Sequence, residues 1–135
     1  MRLRYFAAVL LCAGLAGCFN VQSGDLFQLT RAGQGQRLTL LFNDSGTVAC
    51  NGGAAKTLPD PLLLQARDLA TTLDNDAKAG LHIAPAANSV YFYTIKLQNG
   101  TITFPDTAAA EHPELAQAEQ LALNAAQQGC GMSGV

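Results

Sequence analysis

The sequence predicts an α+β domain: a small antiparallel sheet of about five strands with two helices on one face, in the order β-β-β-α-β-β-α. Three observations carry that prediction. Apolar residues alternate with polar ones between positions 26 and 50, where Gly, Asn and Asp punctuate the runs. Two later stretches, each opened by a proline, carry apolar residues at helical spacing. Between those helices, Asn99-Gly100 separates two strand-like runs and has the composition of a tight hairpin turn.

Residues 26–30 suit a first strand through Leu26, Phe27 and Leu29. Arg31-Ala32-Gly33-Gln34-Gly35-Gln36 turns the chain, after which Leu38, Leu40 and Phe42 alternate with Arg37, Thr39 and Leu41. Asn43-Asp44-Ser45-Gly46 accepts the backbone angles of a reversal, and residues 47–50 make a third strand. Leu58-Pro59-Asp60-Pro61 announces a helix, with Asp60 placed to cap it and Pro61 where a missing amide hydrogen costs nothing. Leu62, Ala66, Leu69, Leu73 and Ala77 form its packing stripe, and Gly80 ends it. Residues 81–88 read as a connecting loop with room for a short edge segment. The hairpin of residues 89–98 and 101–105 is expected to set Leu97 opposite Ile102 and Ile95 opposite Phe104, with Tyr91, Tyr93, Ile95 and Leu97 on the face that the helices cover. Pro113 opens the last helix, Leu115, Ala118, Leu121, Ala122 and Ala125 face the core, and Gly129 stops it. Residues 26–130 therefore form one domain, preceded by a tether at 18–25 and followed by a loose tail at 131–135.

The first seventeen residues have a different character. Arg2 and Arg4 precede an apolar run, residues 5–15, that is too short to span a bilayer as a finished helix, so residues 1–17 read as a secretory signal. The run closes on Leu15-Ala16-Gly17-Cys18, which resembles the bacterial lipobox. The resemblance implies cleavage before Cys18, a diacylglycerol on its sulfur and an acyl chain of the palmitate kind on its amino group. Two or three such chains, at roughly 0.8 kcal/mol per buried methylene, hold a protein on a membrane. The expectation is an extracytoplasmic lipoprotein of the cell envelope, attached to the cell membrane through Cys18. An ordinary secretory peptide, or an uncleaved anchor with a structural Cys18, is the alternative.

Cys12 leaves with such a signal, so Cys50 and Cys130 are the thiols of the folded part. An even pair in an exported domain reads as a disulfide. A reactive or metal-binding pair is the competing reading, although neither a Cys-x-x-Cys spacing nor a nearby His supports it.

Without residues 1–17 the chain carries six basic and ten acidic residues, a net charge near −4. The basic residues are scattered, so no nucleic-acid face is expected. Gly33-x-Gly35 lacks the third glycine of a dinucleotide fingerprint, and Asp74-Asn75-Asp76 is followed by Lys78 and Pro85 where a calcium loop needs ligands. Gly131-Met132-Ser133-Gly134 lacks nucleophile-elbow spacing. His82, His112, Asp106, Tyr91 and Tyr93 are the residues a small hydrolase would use, but none stands in a recognisable signature. No catalytic residue, cofactor or metal site is assigned.

Arg31-Ala32-Gly33-Gln34-Gly35, the strand Tyr93-Thr94-Ile95-Lys96-Leu97 with Asn99-Gly100, Asp106 and the helix from Pro113 to Leu121 loosely resemble the emfourin-type inhibitors of bacterial metalloproteases. That resemblance implies a compact, cofactor-free domain that blocks a protease by binding it. The segment Leu-Pro-Asp-Pro-Leu-Leu-Leu-Gln-Ala-Arg-Asp-Leu, residues 58–69, resembles uncharacterised actinobacterial lipoproteins and implies the same location. The functional expectation is a non-enzymatic, membrane-anchored module that binds an envelope or secreted protein. The alternatives are a structural envelope component and a small hydrolase.

Overall fold

The computed structural model describes residues 21–135, so the signal segment, the lipidation expected at Cys18 and the first part of the tether lie outside the described residues. Six strands form one antiparallel sheet: β1 (Asp25–Gly33), β2 (Gln36–Asn43), β3 (Thr47–Cys50), β4 (Ala55–Thr57), β5 (Phe92–Leu97) and β6 (Gly100–Pro105). Their spatial order is β4-β3-β2-β1-β5-β6. Three helices accompany them, α1 (Asp60–Thr72), α2 (Asp74–Lys78) and α3 (Pro113–Asn124). The predicted α+β class holds, with one strand and one short helix more than expected.

The inner face follows from alternation. Phe27 lies opposite Phe42, Leu29 opposite Leu40 and Arg31 opposite Leu38. On the other side of β1, Leu29 meets Ile95 and Arg31 meets Tyr93. Every one of these residues is buried. The Phe27 and Phe42 rings sit 4.8 Å apart, and Tyr93 stacks on Phe104 at 5.1 Å. Leu62, Ala66, Leu69 and Leu73 from α1 and its end, Ala77 from α2, and Leu115, Ala118, Leu121 and Ala122 from α3 close the same core. Full burial of a Leu or Phe contributes about 1.5–3 kcal/mol, so this face dominates the stability.

The β1–β2 hairpin turns through Gln34 and Gly35, both with positive φ (52° and 71°), as a type I′ turn requires. The β5–β6 hairpin does not use that geometry. Its register is shifted by two residues from the expected one: Leu97 pairs with Gly100, Ile95 with Ile102 and Tyr93 with Phe104. Gln98 and Asn99 form the turn, and neither they nor Gly100 has a positive φ. Gly100 answers to space instead, because a Cβ there would run into the Ala77 carbonyl at the end of α2. Asn99 Nδ2 donates to Asp74 Oδ1 at 2.8 Å, which holds the turn against the same helix. An even shift leaves each side chain on its expected face.

β4 escaped the sequence reading because Ala55, Lys56 and Thr57 are all exposed and offer no apolar alternation. It forms because the chain reverses at Asn51 and Gly52, both with positive φ, and lies back along β3. At the opposite edge, the segment around His82 bridges Thr103, with Ile83 N–H donating to the Thr103 carbonyl at 2.9 Å. The predicted helix after Pro61 is broken at Leu73, whose ψ of −7° ends α1 and begins α2. Asp60 lies in the first turn and makes no side-chain cap; Pro59 precedes it. The last five residues have no regular secondary structure, but Met132 and Val135 rest against the core and Met132 N–H bonds the Ala126 carbonyl.

Substituting Gly100→Ala forces the β5–β6 turn away from α2, and backbone on backbone cannot yield as a side chain would. The expected loss is about 3 kcal/mol in urea unfolding, at the upper end for overpacking. An unchanged midpoint would show that α2 does not approach this turn.

Candidate functional site

Helices cover one face of the sheet, and the other is open. Its side chains fall into rows across the strands. Thr39 stands opposite Thr30, Thr30 opposite Thr94 and Thr94 opposite Thr103, so a line of hydroxyls crosses β2, β1, β5 and β6. His82 Nδ1 hydrogen-bonds Thr103 Oγ1 and extends the line beyond the sheet edge. The next row runs Leu41, Gln28, Lys96 and Thr101. Over these rows lies a cleft of about 860 Å³, lined by Gln28, Thr30, Thr39, Leu41 and Thr94, with Arg37 and Lys96 as its charged groups.

Charge is segregated about this face. None of the ten carboxylates lines the cleft. Elsewhere, Arg67 pairs with Asp44 at 2.6 Å and Lys78 with Asp74 at 2.6 Å. Arg31 is buried at 5% exposure, with its guanidinium 4.4 Å from the centre of the Tyr91 ring. Among the described residues, Arg37 and Lys96 are the basic side chains that lie on the open face, and neither makes an ion pair.

One rim of the cleft is the loop at residues 51–53. Asn51 takes a left-handed conformation (φ 52°), which Asn tolerates better than most residues. Its N–H donates to the Thr39 carbonyl at 2.7 Å and its Oδ1 accepts from the Thr39 N–H at 2.9 Å, so the rim is tied to β2. The preceding residue, Cys50, faces the helix side and lies at disulfide distance from Cys130, with the Cα atoms 6.3 Å apart across 80 residues of sequence. The last turn of α3 widens into a π turn, Ala125–Gly129, with Cys130 N–H reaching the Ala125 carbonyl at 3.1 Å. Gly129 passes so close to Val48 that a Cβ would stand 2.8 Å from its Cγ1. The widened turn and the glycine together bring Cys130 under β3.

The residues that a hydrolase would need are occupied separately. Both Asp106 carboxylate oxygens accept from the Val90 N–H (3.1 and 3.2 Å) and fasten the loop at 84–91 to the end of β6. His112 contacts Glu114 at 3.4 Å at the start of α3. His82 stands at the sheet edge. Tyr91 donates to Gln34 Oε1 at 3.2 Å, and Tyr93 is core. Asp74, the first residue of the calcium-like run, is held below its ordinary pKa by hydrogen bonds from Lys78 and Asn99. Among the described residues no cluster of three His, Cys, Asp or Glu side chains is placed to hold a metal ion.

A polar pocket in the core was not foreseen. Arg31 sits in an inner row between Leu38 and Tyr93, with Glu119 of α3 facing the same region. Burial, together with the charge of Asp106, pushes the Glu119 carboxyl up to about 7. Its Oε1 is buried with no hydrogen-bond partner among the described residues. Burial and the nearby Glu119 push the Tyr93 hydroxyl up to about 12. Neither Arg31 nor Glu119 carries a motif, and the one signal available was their intrusion into otherwise apolar periodicities. The threonine rows were readable as strand parity, but only once the order of strands was known.

Comparison with protein-family models, with curated proteins and with solved structures gives no match to this chain.

Two outcomes follow. Reduction of a Cys50–Cys130 bond removes a cross-link over a long loop, which the chain-entropy relation values at roughly 4 kcal/mol. Intact mass should rise by two hydrogens on reduction, and amide exchange at residues 51–53 should accelerate; free thiols in the purified protein would refute the bond. For Glu119, the folded pKa of about 7 lies above the ordinary 4.5, so its contribution to stability is full below 4.5 and lost as pH rises through 7. Glu119→Gln should flatten that pH dependence and raise the unfolding midpoint above pH 7.

Proposed function

We propose that this protein is a non-enzymatic binding module, held at the extracytoplasmic face of the cell membrane by lipid on Cys18, which uses the open face of its sheet to bind an envelope or secreted protein. The observation that carries the reading is the uncovered face itself. An antiparallel sheet with one solvated face is common, but this one is cupped into a cleft. A hydrogen-bonded rim borders it at Asn51. Threonines and amides line it together with Leu41 and Ala49, and its two charged groups, Arg37 and Lys96, share one sign, unlike the mixed charges of an idle surface.

The signal segment and the Leu15-Ala16-Gly17-Cys18 box support the location. Among the described residues no helix is long and apolar enough to cross a membrane, so the proposed attachment rests on Cys18. An oxidised Cys50–Cys130 bond suits an exported protein and would brace the rim from below. The separate engagement of His82, His112 and Asp106 supports a role without turnover. Inhibition of a protease, the activity that the emfourin resemblance implies, is one form this binding would take.

Fractionation and site-specific crosslinking test the proposal together. Cys18→Ala should move the protein from the membrane to the soluble exported pool. A photo-crosslinking residue in place of Thr94, on the open face, should give one discrete adduct in cells, whereas the same group at Gln65 on exposed α1 should not. Equal, diffuse adducts at both positions would favour a structural envelope component.

A further inference from the structure

We infer that the open face selects an acidic segment of its protein partner, laid across the threonine rows with carboxylates reaching Arg37 and Lys96. The inference rests on the reading of this face as the binding surface and adds the chemistry of what binds. Its warrant is charge complementarity. In a chain whose acidic residues outnumber its basic ones, the cleft gathers two cations and excludes every carboxylate. Neither cation has an acidic partner among the described residues, unlike Arg67 and Lys78. Unneutralised charges of one sign around a cleft raise the local concentration and on-rate of opposite charge.

Sheet geometry sets the spacing. Arg37 pairs with Ala32, Lys96 pairs with Gln28, and four residues of β1 separate those partners. Two strand spacings across and four residues along place the two Cα atoms roughly 16 Å apart on the diagonal. Between them stand Thr30, Thr39, Thr94 and Gln28, which donate and accept along the path. An extended segment with carboxylates four or six residues apart, an even spacing that turns both toward the sheet, brackets that span. Leu41 and Ala49 line the same cleft and favour aliphatic side chains beside the acids, which an anionic polysaccharide lacks. A bilayer is a poorer occupant. Where the chain enters β1, Arg67 and Lys78 neutralise Asp44 and Asp74 and Asp25 makes no ion pair, so the described residues offer no cationic patch there to draw anionic headgroups.

The test uses the full lipidated protein in non-ionic detergent micelles and a synthetic peptide alternating Glu with Leu, followed by fluorescence anisotropy. The peptide should bind with an affinity that falls steeply as salt rises. Arg37→Glu with Lys96→Glu should weaken it by roughly tenfold or more, while Lys78→Glu on the helix side should not. Arg37→Gln with Lys96→Gln, which adds no repulsion, should give an intermediate loss and guards against a misfolded double reversal. Equal binding of a Lys–Leu peptide, tighter binding of phosphatidylglycerol vesicles or polygalacturonate, or concentration-dependent self-association that occupies the face would each overturn the inference. In cells, a Thr94 adduct that persists in the doubly reversed protein would overturn the acidic partner and leave the binding face standing. Loss of that adduct on charge reversal, with an acidic crosslinked peptide identified by mass, supports both. No Thr94 adduct in the unreversed protein removes the binding face itself.

Discussion

The register of β1 against β2 is the constraint on which the other elements depend. These two strands lie at the centre of the sheet, and their pairing sets Phe27 on Phe42 and Leu29 on Leu40 inside while Thr30 and Thr39 face out. A slip of one residue would drive the threonines into the core and expose the phenylalanines. The Gln34-Gly35 turn fixes that register locally, and burial of four large apolar side chains enforces it globally. β3 and β5 then add to strands whose inner and outer faces are already decided, and the helices close over whichever face is apolar.

Support for the open face comes from beneath it. The Cys50 and Cys130 pair, the π turn that delivers Cys130 and the clearance at Gly129 all lie on the helix side, yet they act on the rim through one residue of chain, Asn51. A left-handed residue held by one backbone and one side-chain hydrogen bond to Thr39 cannot easily relax if its neighbour is fixed as well. Arg31 has a related place at the other end of the sheet. It is a cation in an apolar row, covered by the Tyr91 ring and beside Tyr93, whose hydroxyl burial holds in its neutral form. Its position is costly unless its neighbours hold their geometry.

Much of the architecture was legible because periodicity records burial. Leu38, Leu40 and Phe42 announced an inner face, and Leu115, Ala118, Leu121 and Ala122 a helix stripe, with no knowledge of their partners. What escaped was decided by contacts between distant segments. β4 exists because of a reversal at Asn51 and Gly52 and shows no pattern of its own. Asn99-Gly100 has the composition of a type I′ turn, but α2 crowds Gly100, and the turn forms one residue earlier, at Gln98-Asn99, with the pairing register shifted by two. Leu73 fits a continuous helix by spacing, yet the chain bends there and still buries Leu69, Leu73 and Ala77. The candidate site was the least legible part. Thr39, Thr30, Thr94 and Thr103 span four strands, and their alignment is a property of strand order rather than of any local run.

Both borders of the sheet are blunted. On one side β4 is three residues long and carries Lys56; on the other, the backbone around His82 occupies part of the hydrogen-bonding margin of β6. An unprotected margin offers donors and acceptors to a neighbouring sheet, and such pairing grows with crowding. On the proposed lipid anchor, chains would share a plane and meet far more often than chains in free solution. Short and occupied margins would then let many copies stand side by side without zipping into ribbons, leaving the broad open face of each one clear.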